Sequence, residues 1–100
     1  MKVEIARPAR NDLTAIGDEI AKDNPARAGS FVDELIDRCL SLSIHPERFP
    51  VALARPRRAI RKMTHGNYLI FYVVGADQID ILRVVHSARD WVALLHDTPT

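Results

Sequence analysis

Three ionisable residues, His86, Arg89 and Asp90, lie where the apolar run IDILRVV ends. Histidine exchanges a proton near neutral pH, and arginine carries a lasting positive charge that suits carboxylates and phosphates. A strand fixes where the side chains at its end point, so small domains often place functional groups there. We therefore take the end of this strand as the main candidate site.

A purely structural role for the same residues is the competing interpretation. His86 can close the strand end by a hydrogen bond to Asp90, and Arg89 with Asp90 can form a local ion pair at the surface. Trp91 suits the core, or a lid over it, as well as a contact surface. Arg83 is harder to explain this way, because a cation on an apolar strand needs an acidic partner in this chain or in another.

Basic residues are concentrated in a second place, between positions 55 and 62. Five of these eight positions are Arg or Lys, although the net charge of the whole chain is only +1. Such a cluster attracts phosphates or an acidic polypeptide. The alternative is a solvated loop leading to an edge strand whose charges discourage aggregation.

Two apolar strands position the first candidate site. Residues 68–74 and 79–86 predict these strands, with a short turn between them. In the second strand, alternation places Arg83 on one face with Ile79, Ile81 and Val85, and it places Leu82, Val84 and His86 on the other face with Asp80. Both faces are apolar and need cover. If the chain covers only one face, the other is open to a partner.

The N-terminal half predicts a strand and a helical hairpin. Lys2 to Ala6 alternates as a short strand, and Pro8 suits the first turn of a helix that extends to about Lys22. Asn24 caps a second helix, which extends to about Ser43. Ala6 has no side-chain oxygen, so the first helix is expected to lack a side-chain cap.

The remaining segments complete the predicted order of elements. Residues 44–56 contain three prolines and predict a loop, and residues 59–63 predict a strand followed by a turn at 65–67. Ser87 can cap a last short helix. The order is β-α-α-β-β-β-α, an α+β fold in which an antiparallel helical hairpin packs on a small, mainly antiparallel sheet.

Composition limits the other possibilities. One hundred residues, 47% hydrophobic and 27% charged, predict one globular domain. No apolar run is long enough to span a membrane, and the N-terminus is unlike a signal peptide, so we expect a cytoplasmic protein. The four histidines are scattered, Cys39 is the only cysteine and falls on an apolar helix face, and no glycine-rich phosphate loop exists. We therefore expect no metal and no cofactor.

The sequence resembles the RelE/ParE superfamily of toxins from type II toxin–antitoxin systems, and specifically its ParE-like branch. The resemblance covers nearly the whole chain. It is carried by RPARNDLTAIGDEIAKDNPARAGSFVDEL from Arg7, by YLIFYVV from Tyr68 and by ILRVVHSARDW ending at Trp91. A strand followed by His-x-x-Arg-Asp is similar to the ParE-like signature. The resemblance implies the same fold and a cognate antitoxin that wraps the toxin and would occupy an open sheet face. It implies contact with operator DNA only through that antitoxin.

Two activities are compatible with this resemblance. ParE-like members resemble inhibitors that trap a DNA-cleavage complex of DNA gyrase by binding, without chemistry of their own. Under this leading hypothesis no residue is catalytic. The residues expected to bind the target or the antitoxin are Arg57, Arg58, Arg61, Arg83, His86, Arg89 and Trp91.

RelE-like members instead resemble metal-independent ribonucleases that cut messenger RNA on the ribosome. That chemistry needs a base, cations for the phosphate charge and an acid. Here Arg61, Lys62 and Arg83 would supply charge and His86 the base or acid. Against it, the chain has no tyrosine after Tyr72, where such nucleases tend to have a catalytic one. A third hypothesis is a member that binds its antitoxin and is not toxic.

Overall fold

The computed structural model describes residues 1–98 as one sheet with helices on both of its faces. The strands are β1 (Lys2–Ile5), β2 (Val51–Leu53), β3 (Ile60–His65), β4 (Tyr68–Val74) and β5 (Gln78–His86), and the helices are α1 (Arg7–Ala21), α2 (Pro25–Leu40) and α3 (Trp91–His96). The sheet order is β1-β5-β4-β3-β2. Only β1 pairs in parallel, with β5. The predicted α+β fold with its mainly antiparallel sheet is confirmed.

The helical hairpin begins and turns where its caps and prolines predict. Ala6 precedes α1 in an extended conformation and makes no side-chain capping bond, as expected. The Asn24 side chain accepts a hydrogen bond from the Arg27 amide, so the predicted cap of α2 is confirmed. The helix ends at Leu40, and a 3₁₀ turn over Ser41–Ser43 continues the chain.

One strand was missed by the sequence analysis. The segment predicted as a loop contains β2, which forms an edge of the sheet and pairs only with β3. The prolines of this segment interrupt the alternation of apolar and polar residues that predicts a strand, but an edge strand tolerates prolines at its ends. Before β2, a 3₁₀ turn over Pro46–Arg48 is held by the Tyr72 hydroxyl, which donates to the Pro46 carbonyl at 2.6 Å.

The predicted faces of β5 are wrong after Ile81. Tyr72 pairs with Ile81 and Phe71 pairs with Arg83, so Leu82 is an extra residue in β5. Such a bulge shifts the alternation by one position. Val84 therefore joins Ile81 on the face that packs against α1 and α2, and Val85 joins Leu82 on the other face.

The expected open sheet face is also contradicted by the structure. On the side away from α1 and α2, the Phe71 and Val73 side chains are fully buried, as is Leu95 of α3, which packs there together with Trp91 and Leu94. The six-residue helix α3 is therefore enough to cover this face. The face that was expected to be open to a partner is thus occupied by α3.

Asp90, rather than Ser87, caps α3. The Asp90 carboxylate accepts a hydrogen bond from the Ala93 amide at 3.3 Å, whereas Ser87 lies in the preceding turn. Both residue types are good caps, and the turn after β5 places the helix start three residues later than expected. Asp90 is thus used by the helix rather than by His86.

Candidate functional site

His86 ends β5 beside the Tyr68 ring. The two rings meet edge to face, with centroids 5.3 Å apart. The His86 Nδ1 atom accepts a hydrogen bond from the Ala88 amide at 3.0 Å, and this leaves Nε2 as the nitrogen that carries the proton in the neutral ring. The alternative hydrogen bond to Asp90 is not formed, because Asp90 caps α3. His86 therefore keeps one nitrogen free for a ligand.

A small cleft of about 180 Å³ lies beside this histidine. His86, Tyr68 and Arg89 line one side, and α1 contributes Asp12 and Glu19 from the other. The cleft therefore combines a proton-exchanging ring, a phenol, a cation and two carboxylates. Of the predicted site residues, His86 and Arg89 are brought together here.

An aromatic row continues from the cleft over the surface of the hairpin. The Phe31 ring of α2 lies 5.5 Å from the Tyr68 ring and 5.7 Å from the His65 ring, and all three side chains are partly exposed. The Arg27 guanidinium lies over Phe31 at 5.1 Å. Sequence reasoning gave these residues no role, because Phe31 fits the helical stripe and Tyr68 fits the strand. Partly exposed rings beside cations are typical of binding surfaces.

Glu34 fixes one end of this row. Its carboxylate pairs with Arg27 and accepts from His65 at 3.1 Å, linking α2 to the end of β3. The Arg27 guanidinium, and after it the His65 ring, holds the pKa of the Glu34 carboxyl below its ordinary value. The same pair raises the pKa of Arg27. This end of the row is thus an ion-pair network at the surface.

Arg83 has an acidic partner within the chain. Its Nε and Nη2 atoms donate to the Asp12 carboxylate at 2.7 and 2.9 Å, and the same carboxylate accepts from the Val84 amide at 2.9 Å. These bonds to Asp12 raise the pKa of Arg83. A bidentate pair of this kind is geometrically specific and strong. Arg83 is used to join α1 to β5 and is largely neutralised there.

Arg61 and Lys62 point to opposite faces of the sheet. The Arg61 guanidinium donates to the carbonyls of Glu47 and Phe49, which tie down the segment before β2. Lys62 lies over the Trp91 ring at 5.1 Å on the side of α3. Trp91 in turn packs on Phe71, with ring centroids 5.3 Å apart. The four residues required for a ribonuclease, Arg61, Lys62, Arg83 and His86, therefore have separate partners and do not form one cluster.

The basic loop between β2 and β3 surrounds an open cleft of about 510 Å³. Arg55, Pro56, Arg57 and Arg58 line it. Arg55 donates to the Leu95 carbonyl at 2.5 Å, and Arg58 pairs with Asp80 at 3.4 Å. Arg57 is exposed. The guanidinium groups of Arg55 and Arg58 are thus each held by a contact within the fold, and that of Arg57 is exposed.

A further groove lies between α1 and α2. It has a volume of about 640 Å³ and a mainly apolar lining that includes Ile5, Leu13, Val32 and Ile36. Arg10 and Asp18 add charge to the lining. The helices approach closely at Gly17, where an added Cβ would lie 3.3 Å from Val32. An apolar groove flanked by charges suits an amphipathic helix.

Metal and membrane sites were searched within residues 1–98. No three His, Cys, Asp or Glu side chains of this range are grouped so that they could hold a metal ion. Cys39 is fully buried, and burial raises the pKa of its thiol to about 12, which makes it an inert core residue. None of the helices in this range has the length and apolar character to cross a bilayer.

Comparisons with known proteins agree with this arrangement. The profile of the ParE toxin family, described as the ParE toxin of the type II toxin–antitoxin system parDE, matches residues 3–91. A structure titled the chromosomal ParDE TA system from P. aeruginosa is similar with a TM-score of 0.71 and 20% identity, over 86% of this chain and 95% of that one. The RelBE2 toxin–antitoxin complex from Mycobacterium tuberculosis gives 0.62 and 23%, over 85% and 95%.

No curated protein sequence matches the chain significantly. The two structural similarities lie at sequence identities that carry information on the fold alone. The family profile extends from β1 to the start of α3 and includes the strand end that carries His86. The chain therefore belongs to the ParE toxin family of type II toxin–antitoxin systems.

Proposed function

We propose that this toxin inhibits bacterial growth by binding DNA gyrase and stabilising its cleaved-DNA complex, without catalysing a reaction itself. The observation that carries the proposal is the Arg83–Asp12 pair, since it neutralises one of the cations that the sequence assigned to ribonuclease chemistry. Arg61 and Lys62 are likewise engaged, on opposite faces of the sheet. The remaining exposed groups are suited to binding a partner.

The target-binding surface in this proposal is the aromatic row with its adjacent cleft. Arg89 and His86 provide charge and a hydrogen-bond donor at one end, and the Arg27–Glu34 ion pair provides polar groups at the other. Between them, Tyr68 and Phe31 present partly exposed rings. Aromatic and arginine side chains contribute most of the binding energy in many protein interfaces.

The cognate antitoxin occupies the groove between α1 and α2 in this proposal. A toxin of this family has a partner protein, and α3 already covers the sheet face that would otherwise receive it. The groove is apolar, with Ile5 at one end and Ile36 on α2. An amphipathic antitoxin helix would bury these side chains. Gly29→Glu adds a charged side chain to the groove at an exposed position where nothing lies within 4 Å, and it should weaken antitoxin binding strongly, whereas Thr14→Glu at the edge should weaken it less.

A ribonuclease is the second candidate, and one observation favours it. His86, Tyr68 and Arg89 line the same cleft. In a ribonuclease they would serve as base, acid and phosphate-binding cation. His86→Asn separates the two functions, because asparagine can still accept the Ala88 hydrogen bond but cannot transfer a proton. A ribonuclease would lose roughly 10²–10⁴-fold in rate. A binding toxin would retain its inhibition within about tenfold, since at most one contact is lost.

Induction of the toxin alone in bacteria, with separate pulse labelling of new DNA and new protein, tests the proposal. We expect DNA synthesis to fall first. If protein synthesis falls first, the proposal is wrong and the His86 cleft becomes the candidate ribonuclease site. Unimpaired growth with the folded toxin present would instead indicate a non-toxic antitoxin-binding protein.

A further inference from the structure

The basic loop over residues 54–59 carries more positive charge than its acidic partners in the fold balance. A loop that serves only to connect β2 and β3 has no need for three arginines around an open cleft of about 510 Å³. Like charges this close repel one another, and neighbouring anions reduce this cost. The described residues supply one such partner, Asp80, which pairs with Arg58.

The loop is held in place rather than free in solvent. Arg55 reaches the Leu95 carbonyl at the end of α3, and Arg58 lies against the turn between β4 and β5. A Cβ added at Gly75 in that turn would lie 3.2 Å from the Arg58 Nη2 atom, so the absence of a side chain permits this contact. Pro56 restricts the backbone between the two anchors. The cleft is therefore preorganised before any ligand binds.

Three guanidinium groups opposed by one carboxylate leave a surplus of positive charge at the cleft. Asp80 is also shared, because its Oδ1 atom accepts from the Gln78 side chain at 2.5 Å. Arg57 is exposed and makes no hydrogen bond to another residue within 1–98. It is the group most available to an incoming anion.

We propose that this cleft binds phosphodiester groups of the DNA backbone. This inference rests on the proposed function, in which the toxin acts on a complex of gyrase with cleaved DNA. Guanidinium groups match the geometry of phosphate oxygens and bind them with two hydrogen bonds each. No aromatic side chain lines the cleft, so bases have nothing to stack on. The site contacts backbone phosphate and is indifferent to sequence.

Purified toxin, free of antitoxin and without gyrase, tests the site directly. Fluorescence anisotropy with a labelled 20-base-pair duplex is measured at several salt concentrations for the wild type and for Arg57→Ala. Loss of one phosphate contact should reduce the magnitude of the negative slope of log association constant against log salt concentration by about 0.9 and weaken binding about eightfold at 0.1 M salt. Arg7→Ala, an exposed arginine at the start of α1, is the matched control and should change neither value.

A second variant should strengthen binding. Asp80→Asn keeps one oxygen that can accept from Arg58, and its amide nitrogen can donate to the Gln78 side chain once that amide turns over. The substitution removes the opposing charge, so we expect severalfold tighter DNA binding. The inference is overturned if Arg57→Ala binds like the wild type, or if Asp80→Asn does not bind more tightly. Preference for single-stranded RNA or for polyglutamate over the duplex would also overturn it. Because gyrase is absent, these results are independent of whether gyrase is the target.

Discussion

The guanidinium of Arg83 on β5 and the carboxylate of Asp12 on α1 form a bidentate pair, and the same carboxylate accepts a hydrogen bond from the Val84 amide. This one carboxylate fastens the first helix to the strand that carries His86. It also lies at the edge of the His86 cleft. The orientation of the candidate site therefore depends on a contact between residues 71 positions apart in the sequence.

Removal of the Asp12 carboxylate should destabilise the fold strongly. Asp12→Ala leaves both Arg83 and the Val84 amide without their partner, and we expect a loss of about 3 kcal/mol in the free energy of unfolding. Urea unfolding measures this, with exposed Asp18→Ala on the same helix as control. Arg83→Ala should cost less, since the Val84 bond remains. Additive effects in the double mutant would contradict the coupling of the pair.

Neither the partner of Arg83 nor the bulge at Leu82 could be predicted from the sequence. Sequence reasoning correctly required an acidic partner for Arg83, but it could not identify Asp12, because no local pattern relates a helix residue to a distant strand residue. Strict alternation then put Val84 and Val85 on the wrong faces. A bulge depends on the pairing of two strands, and a single strand's sequence does not encode that pairing.

The caps of α1 and α2 should contribute measurably to stability. Ala6→Thr provides the missing side-chain acceptor at the start of α1 and should stabilise the protein by about 1 kcal/mol, a rise of roughly 4–8 °C in melting temperature. Asn24→Ala removes the existing cap of α2 and should lower stability by a similar amount. Thermal melts by circular dichroism measure both. A decrease for Ala6→Thr would show that its hydroxyl cannot reach the helix amides.

Helix caps and apolar periods were the most predictable parts of the fold. The hairpin, the strands from residue 60 onward and the short last helix all follow from local chemistry. The edge strand β2 did not, because its pairing with β3 overrides the signal of the nearby prolines. The aromatic row was missed for a related reason, since Phe31 and Tyr68 come together only when α2 packs on β4.

Glu34 should make stability depend on pH. Its pKa is lowered in the folded protein, so its contribution is present above its ordinary value of 4.5 and is lost as the pH falls through the lower folded value. Glu34→Gln should therefore lower the melting temperature at pH 7 and have progressively less effect below pH 4.5. Asp33→Asn, an exposed acid on the same helix, is the control. If Glu34→Gln lowers the melting temperature equally at pH 7 and below pH 4.5, packing rather than charge accounts for the role of Glu34.

The short helix α3 should contribute much of the cover of the second sheet face. Leu95 is fully buried there, and Leu95→Ala should cost about 3 kcal/mol of unfolding free energy and increase the binding of a hydrophobic dye. Val92 on the same helix is 43% exposed, and Val92→Ala should change stability by less than about 0.5 kcal/mol. Similar small effects of both variants would mean that α3 does not cover the face in solution.

The central claim is that the toxin acts on gyrase by binding. Toxin freed of antitoxin is incubated with gyrase, ATP and supercoiled plasmid, and the DNA is analysed after denaturation of the protein. The account predicts that linear plasmid accumulates with increasing toxin, and that His86→Asn toxin gives the same product within about tenfold of the wild-type concentration. Unchanged plasmid topology, together with cleavage of messenger RNA on ribosomes by the same preparation, would contradict it.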